Sequence, residues 1–159
     1  MGKGRVTIGL YNSYDPTKFR EPHRRVLARA GGLALAFDMN LALFGFPFPD
    51  DIKQPKELAE KGRFLSFSYP DKGFPPQLGD AILTTSKPDP KKAVTKEEVV
   101  GRINSGNSVL LVFGIGPHGI PRSPSSIPRY NLDITGGGFS LETCTALGAV
   151  VGALSSLIQ

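Results

Sequence analysis

The chain has 159 residues, of which 40% are hydrophobic and 21% charged, and its 19 lysines and arginines against 14 acidic residues leave a net charge of +5. This composition fits one ordinary globular domain spanning residues 1–159, able to bury roughly two-thirds of its unfolded surface, and it excludes a disordered chain. The basic excess favours a polyanionic partner such as nucleic acid, and a basic proteome would produce it equally well.

Residues 5–11 (RVTIGLY) alternate β-branched and apolar side chains and predict a strand, closed by turn residues at 12–16. Residues 21–37 read as a helix: Pro22 suits its first turn, arginines mark one side, and Leu and Ala supply the buried side. Gly31 and Gly32 weaken its middle by about 1 kcal/mol each against Ala, so a packing reason is expected there. Residues 40–44 (NLALF) predict a second, buried strand. The stretch 45–79 holds six prolines and reads as irregular, apart from one helical window at 56–61.

Residues 80–85 (DAILTT) predict a third strand, which Pro88 and Pro90 prevent from continuing. Thr95 opens a capping box for a helix that stops near Gly106. The most hydrophobic strand follows at 108–113 (SVLLVF), then a loop rich in Gly, Pro and Ser at 114–128. Residues 130–134 (YNLDI) predict a fifth strand, and after the glycine turn at 135–138 a final helix runs from 140 to about 157. Strands alternating with helices predict an α/β domain with a mostly parallel sheet flanked by helices.

Three strand exits share one character: Thr84-Thr85-Ser86, the run from Gly114 through Gly116 and His118 to Gly119, and the turn at 135–138. In a parallel sheet such exits gather at the carboxyl ends of the strands, where open α/β folds bind ligands, and glycine there lets backbone amides come close. Residues 114–119 match G-x-G-x-x-G, yet Pro121, Pro124 and Pro128 forbid the helix that a dinucleotide fingerprint requires. The turn at 135–138 does lead into a helix, so a flavodoxin-like phosphate site is an alternative. The lack of Lys or Arg in that loop, and Glu142 in the first turn, favour a neutral or cationic ligand instead.

The final helix carries an apolar stripe, and its remaining faces are small and uncharged at Gly148, Ala149, Gly152 and Ala153, which predicts deep burial or a subunit contact. His23 stands among arginines and reads as part of an exposed basic face, whereas His118 lies in a candidate ligand loop and can serve as a base or substrate contact. Cys144, the single cysteine, reads as a buried structural thiol in a reducing compartment. No His, Cys, Asp and Glu cluster has metal spacing, so no metal is expected. Residues 1–5 hold no apolar leader core and no apolar run is long enough for a bilayer, so the expectation is a cytoplasmic protein without a membrane partner.

The order of parts over the second half, VLLVFGIGPHGIP and then YNLDITGGGFSLETCTALGAVVGAL, resembles the SPOUT class of S-adenosylmethionine-dependent RNA methyltransferases. The first half, with RVTIGLYN and a helix ending AFDMNLALFGFP, resembles the opening βαβ unit of that class more loosely, and an archaeal branch is the nearest match. The resemblance implies a C-terminal trefoil knot, a homodimer with the last helix at or near its interface, and tRNA or rRNA as substrate. The implied cofactor is S-adenosylmethionine, whose sulfonium suits the cation-tolerant mouth. Its implied contacts are Thr84, Thr85, Ser86, Gly114, Gly116, Gly119, Ile120, Leu132, Ile134, Gly138 and Leu141. Arg29, with Arg25 close behind, takes the place of the arginine that helps ribose-methylating relatives activate a 2′-hydroxyl, and His118 joins them as a catalytic candidate. The asparagine usual before that arginine, and the glutamate usual in the second glycine loop, have no clear counterpart, so a non-catalytic cofactor- or RNA-binding module is the alternative.

Overall fold

The computed structural model describes residues 2–47, 55–117, 120 and 127–159. Six strands, β1 (Val6–Asn12), β2 (Asn40–Phe44), β3 (Phe64–Phe67), β4 (Asp80–Thr84), β5 (Val109–Ile115) and β6 (Tyr130–Leu132), form one sheet in the order β3-β2-β1-β5-β4-β6. Every pairing is parallel, with Ile8 of β1 opposite Leu41 and Leu111, Leu83 opposite Val112, and Thr84 opposite Leu132. Strands covered on both faces need apolar residues throughout rather than in alternation, which is why VTIGLYN and VLLVFGI occupy the two central places.

Four α-helices lie among the described residues: α1 (Glu21–Ala36), α2 (Lys56–Glu60), α3 (Lys96–Asn104) and α4 (Thr143–Leu157). Leu27 and Ala30 of α1, Leu58 of α2, Val99 and Ile103 of α3, and Leu147, Val151 and Leu154 of α4 share one core with Ile8, Leu10, Leu111 and Phe113. They therefore cover one face of the sheet. The opposite face, with Tyr11, Phe44, Leu110 and Val112, is packed by Phe67 and by Tyr69, Phe74 and Leu78 of the irregular segment 68–79. Gly31 has the packing reason its position calls for: a Cβ there would stand 2.8 Å from Cβ of Pro55. No helix of the described residues is long and apolar enough to cross a membrane.

Three expectations need correction. The stretch read as irregular contains β3, whose FLSF is too short and too exposed to signal itself and is held by its ladder to β2. The last helix begins at Thr143 rather than 140, because Glu142 turns back as its cap and accepts the Thr145 amide at 3.1 Å. The strand at 130–134 ends at Leu132, where Asp133 draws the chain into a turn by accepting the Thr135 amide and hydroxyl.

His23 is the fourth correction. It is fully buried, not on an exposed basic face. Its Nδ1 accepts the Arg20 amide at 3.0 Å, which places the proton on Nε2 for donation to Asn12 Oδ1 at 2.9 Å. Rings of Tyr14, Phe19 and Phe46 enclose it. Asn12, also fully buried, donates from Nδ2 to the carbonyls of Tyr14 and Gly45, so a polar lock ties the exit of β1 to the start of α1.

Candidate functional site

Because β4, β5 and β6 are parallel neighbours, their carboxyl ends deliver three chain exits to one edge. Between these exits lies a cleft of about 660 Å³, within the range of small-molecule sites. Thr84, Thr85, Ser86, Gly114, Ile120, Leu132, Ile134 and Leu141 all line it, together with Leu83, Ala146 and Val150. Residues of the first two exits, and the residues on either side of the turn at 135–138, thus line a single space.

The other candidate residues stand elsewhere. Gly116 (φ 117°) faces the exit of β1, where a Cβ would lie 2.2 Å from Ser13 Oγ. Gly138 (φ 78°) shapes the third loop by donating its amide to Asp133 Oδ2 at 2.8 Å. Arg25 and Arg29 are exposed on α1 and do not line the cleft, since Val26, Leu27 and Ala30 take the side of that helix facing the sheet. His118 and Gly119 lie outside the described residues.

Polar residues that the sequence reading passed over complete the walls: Lys87, Asp89, Lys92, Asn131 and Asp133, with Phe139 exposed beside them. Their signal was an Asn and an Asp inside the apolar run YNLDI, where a pure core strand would hold neither. Asn131 is 4% exposed. Its backbone is fully paired, the amide to Lys92 O and the carbonyl to the Val94 amide, both at 2.9 Å. Its Oδ1 accepts the Asp89 amide at 3.0 Å, but its Nδ2 is buried with no partner among the described residues. An orphaned buried donor costs about 1–3 kcal/mol, and this one belongs to a residue of the cleft wall.

The exits are stiffened from within. Thr84 Oγ1 donates to Val112 O at 2.8 Å, the Thr85 amide to Leu132 O at 3.0 Å, and Thr143 Oγ1 to Gly114 O at 2.9 Å. Burial raises the Asp133 carboxyl, and bonds from Thr135, Gly138 and Gly136 outweigh it, so this group stays ionised below the ordinary carboxylate range. The same bonds bear on the phosphate alternative. Asp133 takes the amides of Thr135 and Gly138, Thr135 Oγ1 takes those of Gly137 and Phe139, and Glu142 takes that of Thr145. The loop answers its own donors with two carboxylates and a hydroxyl, which favours a cationic group over a phosphate. Among the described residues no group of three or more His, Cys, Asp or Glu is placed to hold a metal ion.

A family model described as "Protein of unknown function (DUF531)" matches residues 51–155. An uncharacterized protein of Methanocaldococcus jannaschii is 40% identical over 158 residues, covering 92% of this chain and 90% of its own. Among solved structures, a probable methyltransferase from Bordetella pertussis Tohama I aligns with 98% of this chain and 97% of its own at TM-score 0.67 and 17% identity. TrmJ from Z. mobilis ZM4 aligns with 97% of this chain and 69% of its own at 0.61 and 14%. The SpoU methyltransferase AviRb from Streptomyces viridochromogenes, solved with AdoMet, aligns with 98% of this chain and 58% of its own at 0.57 and 14%. The fold is therefore the one carried by SPOUT-class methyltransferases.

Proposed function

The chain belongs to the family described as proteins of unknown function DUF531, and from its fold and cleft we propose that it is an S-adenosylmethionine-dependent RNA methyltransferase acting on tRNA or rRNA. The observation that carries this reading is the convergence of three strand exits on one cleft whose wall holds the unpartnered Nδ2 of Asn131. The donor set fits the cofactor. Leu83, Leu132, Ile134 and Val150 offer apolar walls for a purine, Asp89 and Asp133 suit cationic sulfur and ammonium, and Lys87 and Lys92 suit a carboxylate. SpoU methyltransferase AviRb, of the same fold, was solved with that cofactor.

When bound, the cofactor supplies a methyl group on cationic sulfur for in-line displacement. The chain's own part is to align and enclose. Thr84, Thr85, Ser86, Gly114, Ile120, Leu132, Ile134 and Leu141 form the walls, Gly116 and Gly138 shape the loops that present them, and Gly119 remains a candidate contact by its place in the sequence. Asn131 meets a ligand acceptor. The segment after β6 touches the exits of both β4 and β5, where a Cβ on Gly138 would stand 3.6 Å from Ser86 O and Thr143 bonds Gly114; these contacts suit a trefoil knot.

Arg29, Arg25 and His118 are the candidates for assisting deprotonation of a ribose 2′-hydroxyl. The arginines face away from their own chain's cleft, so they serve only where a second copy brings its α1 there, which ties this role to a homodimer. The face of α4 bearing Thr145, Gly148, Ala149 and Ser156 is exposed, and a side chain on Gly148 or Gly152 would meet nothing within 4 Å. That small, uncharged face suits the dimer contact. A single half-buried cysteine, Cys144, suits a reducing cytoplasmic setting.

The distance of the arginines from the cleft favours one second reading, a cofactor- or RNA-binding module without catalysis. Transfer of label from methyl-labelled S-adenosylmethionine to total RNA separates the two: the enzyme incorporates label, and the module binds cofactor without transfer.

A further inference from the structure

We propose that a second cleft, at the amino end of the sheet, is an RNA contact that holds a backbone phosphate and stacks the adjoining base of a single-stranded segment. This inference rests on the RNA reading above for the identity of the polyanion, and on different residues for its site. The cleft has a volume of about 560 Å³ and lies between the start of β1, the α1–β2 turn, the entry to β3 and the end of α4.

Its walls carry Lys3, Arg5, Lys61 and Arg63 against one carboxylate, Asp38. Arg63 is committed: it pairs with Asp38 and donates from Nε to Asn40 Oδ1 at 3.0 Å. Lys3, Arg5 and Lys61 are exposed. Among the described residues Lys61 makes a surface contact of 4.0 Å with Glu57, and Lys3 reaches the Gln159 carbonyl at 3.4 Å, arrangements worth little in water. The Asp38 carboxyl is held below its ordinary value first by the Arg63 bond and charge and also by Lys3 and Lys61, so the cations act on a common space.

One further feature favours a nucleotide over a bare anion. Phe37 is 42% exposed at this cleft, a flat apolar face beside the cations, which is how single-stranded nucleic acids are held. Asp38 adopts φ 57°, an uncommon conformation for a residue with a side chain, and turns the chain where Phe37 and Asp38 border the cleft. In addition, Ser155 Oγ is buried in this wall without a partner. Among the described residues two buried side-chain polar atoms lack a partner, Asn131 Nδ2 and Ser155 Oγ, and each belongs to the wall of one of the two clefts. The clefts stand at opposite ends of the strands, roughly 20 Å apart at about 3.3 Å per residue, so one mononucleotide cannot fill both.

The test measures binding of the full chain to a fluorescein-labelled oligouridylate of about 12 nucleotides by anisotropy. The wild type is compared with Lys3→Glu/Lys61→Glu, with Phe37→Ala, and with the charge-matched control Lys72→Glu/Lys96→Glu. Thermal melting verifies folding, and cofactor titration is run on each protein. The double reversal at the cleft is expected to lose at least about tenfold in affinity and to lower the salt slope by about 0.7, the value of one phosphate contact on a single strand. Phe37→Ala is expected to lose about tenfold, and the control to stay within about twofold. Equal losses in the control, displacement by polyglutamate as readily as by RNA, or displacement by uridine monophosphate at the oligonucleotide's own affinity would each overturn the proposal. Lysine-dependent RNA binding without cofactor binding would sink the methyl-transfer reading and leave this one standing.

Discussion

The Asn131 carboxamide is held on one side only: its oxygen accepts the Asp89 amide at 3.0 Å, and its nitrogen, buried beside the cleft at the exits of β4, β5 and β6, bonds nothing among the described residues. A bound acceptor would convert that deficit into affinity. Asn131→Ala removes the orphan along with the acceptor of the Asp89 amide, so the two effects oppose each other and stability should change by less than about 1.5 kcal/mol. Cofactor affinity should fall about tenfold, the value of one hydrogen bond to a polar or charged ligand group. Thermal shift with and without S-adenosylmethionine measures both; equal stabilisation of variant and wild type by cofactor would remove Asn131 from the site.

Gly138 governs the third loop through its backbone. At φ 78° a side chain is strained, although a Cβ there meets only Ser86 O at an ordinary 3.6 Å. Gly138→Val should therefore cost about 1–2 kcal/mol from conformation rather than from a clash. Because the distortion lies in a loop of the cleft, cofactor binding should weaken by more than global stability does. Denaturant titration paired with cofactor titration separates the two.

Acid should loosen the β1–α1 junction. Burial, and then the Arg20 charge, hold His23 below its ordinary value of 6.5. The unfolded chain thus takes up this proton before the folded one. The stabilisation is complete above the unfolded pKa and is lost as pH falls through about 6.5 towards the folded value. Urea midpoints measured from about pH 8 to about pH 5 should decline in that window. His23→Gln, which keeps a donor for Asn12 without a titrating ring, should flatten the decline at a cost of about 1–2 kcal/mol.

The open face of α4 predicts the assembly state. Gly148 has no atom near a built Cβ, so Gly148→Arg leaves the folded monomer undisturbed. Light scattering should report a dimer for the wild type and a monomer for this variant, with unchanged melting of the monomeric unit at low concentration. A monomeric wild type would remove the homodimer and with it the catalytic part given to Arg25 and Arg29.

The central strands, α1, α3 and the ends of the strands were legible because period, caps and the punctuation by glycine and proline are local signals. Other features depend on partners distant in sequence. β3 exists through its pairing of Phe64 with Leu41 and Phe67 with Phe44, which FLSF alone does not announce. His23 looks like one more basic residue in EPHRR until Asn12, eleven residues earlier, closes on it. Asn131 was passed over for a similar reason, since an unmet donor is visible only after every neighbouring bond has been assigned.

The most direct test of the central claim is calorimetric titration of the folded chain with S-adenosylmethionine. The account predicts one site per chain with micromolar affinity. A folded protein that shows no heat of binding at millimolar cofactor would contradict it.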